Sequence, residues 1–286
     1  HIKIFVPPTY ALEVANNTAT LLKIAEQVGM PIPKTYFLDD LNEMETLSSS
    51  LRFPVVIKMK REEVYLPHKR YSIARSSAEF KEKYLILHSL QPFPLVQEYI
   101  SGPGAGFFAL YNQDHNLQAQ FCHQRIREYP ISGGPSTLCQ SIKDDKLIAC
   151  GKKLLDALNW IGVAMVEFKK DQLSGEYKLM EINPRFWGSL PLATASGVDF
   201  PYLLYRLINE EKFSPVLDYK VGVKLRFLVM DSVSALSHLK NKHFGEFFNF
   251  LKDLLDWRIK EGVLSWRDFG PNIPYLKKYL DYFKQK

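Results

Sequence analysis

Three polar side chains recur at alternate positions in the run LMEINPRFWGS, residues 179–189: Glu181, Asn183 and Arg185. In an extended strand this spacing directs all three to one face, while Met180 points to the other. A carboxylate, an amide oxygen and a guanidinium together have the chemistry to hold a cation and an anion. A polar strand face is also the ordinary solvated side of a sheet, so the pattern needs a second observation.

A turn signal, DQLSGE, lies between this run and the preceding VEF. A hairpin centred near Ser174 pairs Asp171 with Tyr177 and places Glu167 directly opposite Glu181. Like charges opposed about 4.5–5.5 Å apart destabilise a sheet. A protonated carboxylate, an intervening basic side chain or a bound divalent cation would relieve that repulsion.

Asn183 favours the bound cation among these three outcomes. It adds a neutral oxygen on the same face, and oxygen-only donors suit Mg²⁺ or Mn²⁺. Arg185 cannot ligate a metal but can hold a phosphate oxygen. The alternative interpretation is a surface cluster of salt bridges with the strand register displaced by one residue. The candidate metal ligands are Glu167, Glu181 and Asn183.

The composition is that of an ordinary globular protein and excludes several classes of partner. The chain has 286 residues, of which 46% are hydrophobic and 24% charged, with a net charge of +6. Its basic residues are scattered between acidic ones, so nucleic acid is not an expected partner. No apolar run approaches the roughly 20 residues that cross a bilayer, so no membrane partner is expected either.

The cysteines and the first residue bear on localisation and completeness. Cys122, Cys139 and Cys150 are odd in number and lack metal-ligand spacing, which indicates reduced thiols in a cytoplasmic protein. The chain begins with His1 instead of Met, a start consistent with a fragment or tag remnant that lacks an upstream domain.

Strand and helix patterns are mixed without a regular βαβ alternation, which predicts the α+β class. Helical periodicity and end signals predict helices over 18–29, about 77–90, 144–159, 244–262 and 273–283. Apolar runs bounded by turn residues predict strands at 55–58, 93–100, 107–112, 117–126, 160–171, 176–183 and 221–231.

Four segments in this order resemble the ATP-grasp superfamily. They are PVVIK ending at Lys58, LVQEYISG, the run VEF and LMEINPRFWGS. The resemblance covers roughly residues 18–210. Within the superfamily the chain is most similar to predicted ATP-dependent carboligases, or carboxylate–amine ligases, related to the carbamoyl-phosphate synthetase large chain.

The resemblance implies an ATP-grasp fold of two α+β lobes with the nucleotide site between them and a mostly helical C-terminal extension. The implied domains are a remnant or linker from an N-terminal domain, a small lid lobe, a large lobe with the metal site and a C-terminal strand with helices. Their boundaries are 1–17, 18–96, 97–212 and 213–286.

The same resemblance implies a role for each matching residue. Glu167, Glu181 and Asn183 would bind Mg²⁺ ions that bridge the ATP phosphates, and Lys58 would lie on those phosphates. The hinge strand would hold adenine, chiefly through its main chain, with the residues Gln97, Glu98, Tyr99 and Ile100. Arg185, Arg125 and Arg127 would contact the transferring phosphoryl group, its acyl-phosphate product or the substrate carboxylate. Arg125 and Arg127 lie two residues apart and are expected on one strand face. The alternative interpretation is that this face is an ordinary solvated face of the sheet.

Two segments depart from the superfamily pattern. A lysine usually precedes the first helix, where this chain has Asn16, Asn17 and Thr18. The lid loop at 59–73 has no glycine, and His68, Lys69 and Arg70 are candidates to replace its amide groups by charge. Residues 133–137, GGPST, are expected to be a flexible segment that closes over the site.

The implied activity is an ATP-dependent ligase that activates a carboxylate as an acyl-phosphate for attack by an amine. Its cofactors would be ATP and Mg²⁺ or Mn²⁺, and its partners small-molecule carboxylates and amines. Two alternatives stay open: a kinase on the same scaffold and a non-catalytic nucleotide-binding module. A homodimer is also open, because tail residues such as Phe247, Phe248 and Phe250 are able to cover a partner.

Overall fold

The computed structural model describes residues 4–61, 71–265 and 267–277. Its strands and helices alternate irregularly, which confirms the α+β class. The strands are β1 (Thr35–Tyr36), β2 (Val55–Lys58), β3 (Tyr71–Ala74), β4 (Leu95–Glu98), β5 (Gly104–Tyr111), β6 (Leu117–Glu128), β7 (Ser136–Ser141), β8 (Gly162–Lys170), β9 (Tyr177–Asn183), β10 (Lys224–Arg226) and β11 (Lys260–Glu261). The helices are α1 (Thr9–Ala15), α2 (Thr18–Gln27), α3 (Asn42–Ser50), α4 (Ser77–Leu90), α5 (Asp145–Ala157), α6 (Leu190–Ser196), α7 (Phe200–Ile208), α8 (Leu228–Lys240) and α9 (Phe244–Leu254).

The smaller sheet has the strand order β1-β4-β2-β3 and is antiparallel throughout. Burial alternates along the run VVIK of β2. Val55 and Ile57 pack into the core that α3 and α4 cover. Val56 and Lys58 lie on the opposite face, which lines a cavity. The alternation therefore takes Lys58 out of the core at the end of its strand.

The larger sheet has the order β11-β10-β7-β6-β5-β8-β9, and β10 pairs parallel with β11 while its other pairs are antiparallel. One face packs against α1, α2 and α5. On the other face, Phe108, Met165 and Trp187 pack with residues of α6 and α7. Because both faces are covered, the central strand β5 is buried along its whole length.

Three predicted helices form as α2, α4 and α5, each ending within two residues of its predicted limits. Side-chain oxygens of Asn17, Ser76 and Asp144 accept hydrogen bonds from amides of the first turn. Such caps satisfy donors that a helix leaves unpaired. Asn17 thus starts α2 at the position where the superfamily pattern predicts a lysine.

The predictions for the C-terminal part are correct only in part. The strand predicted over 221–231 is limited to β10, since Leu228 already begins α8. The Glu261 carboxylate accepts a hydrogen bond from the Leu228 amide at 3.2 Å, which satisfies one free donor of that helix. The helix predicted over 244–262 ends with α9, and the chain continues to β11. Residues 273–277 are helical as predicted, and the rest of that predicted helix lies outside the described residues.

The predictions on membrane helices, cysteines and domain boundaries concern the described residues as follows. The described helices include none that is both long and apolar enough to span a membrane. Cys122, Cys139 and Cys150 are free thiols. The domain boundaries remain predictions, although β10, which falls in the predicted C-terminal extension, is a strand of the larger sheet.

Candidate functional site

A cavity of about 850 Å³ lies between the two sheets. Its volume is in the range of pockets that hold a cofactor or a small molecule. Most of the side chains predicted from the sequence line this one space: Lys58, Gln97, Glu98, Tyr99, Ile100, Arg125, Glu167, Glu181, Asn183 and Arg185. Of the predicted site residues, Arg127 is the one that does not line it.

The β8–β9 hairpin places Glu167 directly opposite Glu181, as its turn signal predicts. The pairing near the turn differs from the prediction, because Lys170 and not Asp171 faces Tyr177. A β-bulge beside Glu167 then shifts the register by one residue. The bulge also brings Met180 to the cavity, so the expectation that Met180 lies on the face opposite Glu181 is wrong.

Basic side chains accompany both of the opposed carboxylates. The Arg125 guanidinium lies 2.7 Å from a Glu167 carboxylate oxygen, and the Lys58 ammonium lies 3.9 Å from Glu181. Burial raises the pKa of Glu167, Arg125 opposes that shift and Glu181 adds to it. Of the three ways to relieve the repulsion, the structure therefore shows intervening basic groups.

Asn183 and Arg185 continue the line of polar groups along the chain. The Asn183 amide donates to a Glu181 carboxylate oxygen at 2.8 Å, and Arg185 donates to the Asn183 oxygen at 3.0 Å. Among the described residues, no group of three or more His, Cys, Asp or Glu side chains is arranged so that it could hold a metal ion by itself. Two carboxylates and an amide oxygen nevertheless fit Mg²⁺, which is usually held by one or two carboxylates together with substrate phosphates.

Lys58 joins the smaller sheet to this acidic end of the larger one. Besides its approach to Glu181, its ammonium donates to the Met180 carbonyl at 3.3 Å. The hinge residues lie at the end of β4, where the Gln97 amide donates to the Thr35 hydroxyl. The Glu98 carboxylate accepts from a backbone amide of the segment before β1. The side chains of Gln97 and Glu98 in the hinge are therefore hydrogen-bonded to other residues of the chain.

Arg127 lies elsewhere, and the expectation that it shares a face with Arg125 is wrong. A β-bulge between the two arginines interrupts the strand alternation. The Arg127 guanidinium donates to Asp231 at 2.9 and 2.8 Å and to Asp253 at 2.7 Å. It is 3% exposed, so its contacts are with α8 and α9 and not with the cavity.

Residues 133–137 are not a single flexible segment as predicted. Ser136 and Thr137 belong to β7, and the Thr137 hydroxyl donates to Asp231. The preceding loop does line the cavity, where the Tyr71 hydroxyl donates to the Gly133 carbonyl at 2.6 Å. The predicted charge substitutes His68, Lys69 and Arg70 lie outside the described residues.

Comparison with known proteins bears on the fold that carries this site. A family model described as "ATP-grasp in the biosynthetic pathway with Ter operon" matches residues 116–228. The carbamoyl phosphate synthase large chain of Pyrococcus furiosus is 26% identical over an alignment of 251 positions, which covers 79% of this chain and 23% of that protein. The biotin carboxylase–β,γ-ATP complex of Campylobacter jejuni superimposes with a TM-score of 0.65 at 13% identity, over 78% of this chain and 52% of that one. Residues 116–228 match an ATP-grasp family.

A further relative of this chain is the D-aspartate ligase of Enterococcus faecium. It is 25% identical over an alignment of 309 positions, gaps included, which covers 92% of this chain and 69% of the ligase. The chain spans about a quarter of the length of the carbamoyl phosphate synthase that it matches. These relations establish the ATP-grasp fold and leave the reaction to be proposed.

Sequence reasoning missed several residues of the ATP-grasp cavity. His123, Trp187 and Ser189 line it, and they stand beside the predicted residues in the runs HQR and RFWGS. Burial lowers the pKa of His123 to about 3, with Arg125 adding to the shift, so its ring is neutral near pH 7. The Ser189 hydroxyl lies 3.2 Å from the His123 Nδ1 atom.

Gly104 provides room for Arg125 in the same cavity. A Cβ atom at Gly104 would lie 2.7 Å from the Arg125 side chain, closer than packed atoms approach. The glycine therefore lets the guanidinium cross β5 to reach Glu167 on β8. The run GPGAG contains this glycine, but only the folded sheet shows that Gly104 lies against the Arg125 side chain.

Proposed function

We propose that the chain is an ATP-dependent carboxylate–amine ligase. The observation that carries the proposal is the convergence of Glu167, Glu181 and Asn183 with Lys58 of the other sheet on one cavity. Acidic oxygens for a hard cation and basic groups for phosphates are the parts that phosphoryl transfer needs. The similarity to a D-aspartate ligase supports a ligase over other reactions.

In this proposal the γ-phosphoryl group of ATP passes to a carboxylate oxygen of the substrate, and ADP leaves. An amine then attacks the acyl carbon, phosphate departs and the nitrogen loses a proton, which leaves an amide. Lys58 and Arg185 bind phosphate oxygens and hold the transferring group in place. Main-chain groups of Glu98 and Ile100 bind adenine.

The residues that would hold Mg²⁺ are Glu167, Glu181 and Asn183. When bound, the ion neutralises phosphate charge and polarises the phosphoryl group. Arg125, whose guanidinium lies 2.7 Å from a Glu167 oxygen, would give up that contact if Glu167 held the ion. Its guanidinium would then be available to an anionic substrate.

The test is ADP release from Mg·ATP with pools of carboxylates, with and without amines. A ligase releases ADP only when a carboxylate is present, and hydroxylamine in place of the amine traps the acyl-phosphate as a hydroxamate. ADP release that does not depend on the amine and yields a stable phosphorylated product would identify a kinase. Nucleotide binding with background hydrolysis in every pool would identify a binding module.

A further inference from the structure

The cavity continues beyond the part that the proposed nucleotide would fill. Adenine at the hinge would lie near Lys169 of β8, whose ammonium is 5.3 Å from the centroid of the Tyr99 ring. The proposed metal ligands Glu167 and Glu181 lie on β8 and β9. Both ends of the nucleotide therefore belong to the β8–β9 side of the larger sheet.

A second end of the cavity, here called the β10 end, lies towards the opposite edge of that sheet. It is lined by Thr137 on β7, Phe227 after β10, Met230 in the first turn of α8 and Val263 after β11. Strands β5 and β6 separate β7 from β8, so three strand spacings place β7 about 14 Å across the sheet from β8. A nucleotide held at both ends by the β8–β9 side does not fill the β10 end.

The β10 end is apolar. Phe227, Met230 and Val263 are only half-buried, and their side chains line the cavity. The Thr137 hydroxyl is directed away to Asp231, to which it donates at 2.8 Å. None of the described residues that line the cavity from segments 130–137 and 227–277 is charged. An apolar group therefore gains more from this space than a charged one does.

The walls of the β10 end are held in place by the fold. The Phe227 amide donates to the Thr137 carbonyl at 2.9 Å, and the Phe227 carbonyl accepts from the Asp231 amide at 2.8 Å. The Phe227 ring packs on Gly262, where a Cβ atom would lie 2.4 Å from it. Met230 directly precedes Asp231, which is fully buried. A pocket with such fixed walls binds its ligand with little cost in ordering.

Arg125 lies between the acidic end of the cavity and the β10 end. It projects from β6, which pairs with β7. Besides its contact with Glu167, its guanidinium donates at 3.0 Å to the carbonyl of Gly134, in the loop that leads into β7. A carboxylate bound by Arg125 would have the metal ligands on one side and the β10 end on the other.

We infer that the β10 end binds a bulky apolar side group of the carboxylate substrate, of the size of a leucine or phenylalanine side chain. The inference rests on the proposed ligase function, in which Arg125 becomes available to an anionic substrate. The apolar group then extends past β7 to Phe227, Met230 and Val263. Met230 and Val263 lie beyond the residues 116–228 that match the ATP-grasp family, so the C-terminal part of this chain sets the selectivity.

The first experiment measures hydroxamate formation from Mg·ATP and hydroxylamine, with leucine, phenylalanine, alanine and aspartate as the carboxylates, each in both stereoisomers. We expect kcat/KM for leucine or phenylalanine to exceed that for alanine and aspartate at least about tenfold, because the β10 end buries the larger apolar side chain.

Two substitutions at one wall residue test the assignment. Met230→Lys places a charge in the β10 end and should lower kcat/KM for the apolar acids about 10- to 100-fold. Met230→Ala removes only part of the wall and should lower it about three- to tenfold. Leu236→Lys, at a residue of α8 that is 61% exposed, is the matched control and should leave the preference unchanged.

Calorimetric titration of the same acids separates this inference from the proposed function. The chain is loaded with Mg²⁺ and a non-hydrolysable ATP analogue. Binding of leucine or phenylalanine that Met230→Lys weakens, without ADP release from ATP, would overturn the ligase proposal and support the apolar pocket. Turnover of alanine or aspartate as fast as that of the apolar acids, unaltered in both Met230 variants, would overturn the pocket and leave the ligase proposal intact. Neither binding nor turnover of any acid would overturn both.

Discussion

The two opposed carboxylates differ in their surroundings, and that difference separates their roles. Glu167 is the less exposed of the two, with 17% of its side chain accessible, and holds Arg125 at 2.7 Å. Glu181 is part-exposed, lies 3.9 Å from Lys58 and accepts from the Asn183 amide. A buried charge needs its partner, whereas a part-exposed one tolerates neutralisation. Glu181 is therefore the better residue at which to remove charge and keep the fold.

We predict that Glu181→Gln abolishes the Mg²⁺-dependent part of nucleotide binding. The substitution keeps the size of the side chain but removes a metal-binding carboxylate, so nucleotide affinity in Mg²⁺ should fall at least about tenfold, or 1.4 kcal/mol. The measurement is the thermal shift produced by Mg·ATP, compared with the shift produced by ATP in a chelator. Glu176→Gln, on the exposed β8–β9 turn, is the control. Equal Mg²⁺-dependent shifts in both variants would contradict the metal assignment.

At the scale of elements, helices and strands with regular side-chain periodicity were predicted correctly from the sequence, whereas β-bulges were not. The periodic helices α2, α4 and α5 and the strands of the β8–β9 hairpin follow from side-chain spacing alone. A β-bulge leaves no such pattern, since tertiary packing decides which residue is left unpaired. The bulge beside Glu167 offset an error of one residue in the predicted turn, so the glutamates still meet. The bulge before Arg127 had no such compensation, and that arginine leaves the site.

The start of α8 illustrates the same limit. The run VGVKLRFLVMD favours a strand by composition, yet Leu228 begins a helix. The decisive contact comes from Glu261, which is 33 residues further along the chain. A contact that distant is set by the fold and is not visible in the local sequence. The cavity residues His123 and Trp187 were missed for a related reason, because only the folded chain shows that they line the cavity.

We predict a pH-dependent loss of stability in Asp144→Ala. Asp144 caps α5 and accepts from the Tyr177 hydroxyl at 2.7 Å, which joins that helix to β9. Its burial raises the pKa of this carboxyl, but the hydrogen bond from Tyr177, helped by backbone amides and Lys170, outweighs burial and lowers the pKa below the usual 3.8. A lowered pKa stabilises the fold above pH 3.8, and this contribution disappears as pH falls through the folded-state pKa.

Denaturant unfolding at pH 7 and near pH 3 measures the effect. Asp144→Ala should lose about 1–2 kcal/mol at pH 7, and the difference should shrink on acidification. Asp144→Asn keeps a capping oxygen without the titrating charge, so its loss should be smaller and vary less with pH. A deficit of Asp144→Ala that grows on acidification would contradict the sign.

On the scale of the whole molecule, side chains of the described residues bridge the cavity between the two sheets. Lys58 reaches the Met180 carbonyl and Glu181, and the Tyr71 hydroxyl reaches the Gly133 carbonyl. Lobes that face each other across a ligand cavity are expected to open and close around the ligand. These contacts therefore bear on nucleotide affinity more than on the stability of either lobe.

We predict that Tyr71→Phe weakens ATP binding about two- to tenfold, because one neutral hydrogen bond contributes about 1 kcal/mol to the closed arrangement. Calorimetric titration with Mg·ATP measures the affinity, and thermal unfolding without nucleotide should change little. Tyr10→Phe, at an exposed tyrosine of α1, provides the matched loss of a hydroxyl. An ATP affinity that Tyr71→Phe leaves unaltered would show that the contact does not hold the lobes together.

The second whole-molecule feature is the buried network that ties the C-terminal helices to the larger sheet. Arg127 on β6 pairs with Asp231 on α8 and Asp253 on α9, and Thr137 on β7 donates to Asp231. Asp231 is fully buried. Removing Asp231 takes two of the hydrogen bonds from the buried Arg127 guanidinium, which keeps its contact with Asp253, and such a loss costs more than the intact pair contributes.

Asp231→Ala should therefore lower the free energy of unfolding by about 3–5 kcal/mol. Asp218→Ala, which removes the exposed partner of Lys143, should change it by less than about 1 kcal/mol. Replacing both Arg127 and Asp231 with Met and Leu should recover much of the loss, since no charge of that pair is then buried alone. Denaturant unfolding of the three variants measures these differences. If Asp231→Ala were no more harmful than Asp218→Ala, this buried network would not anchor the C-terminal helices to the larger sheet.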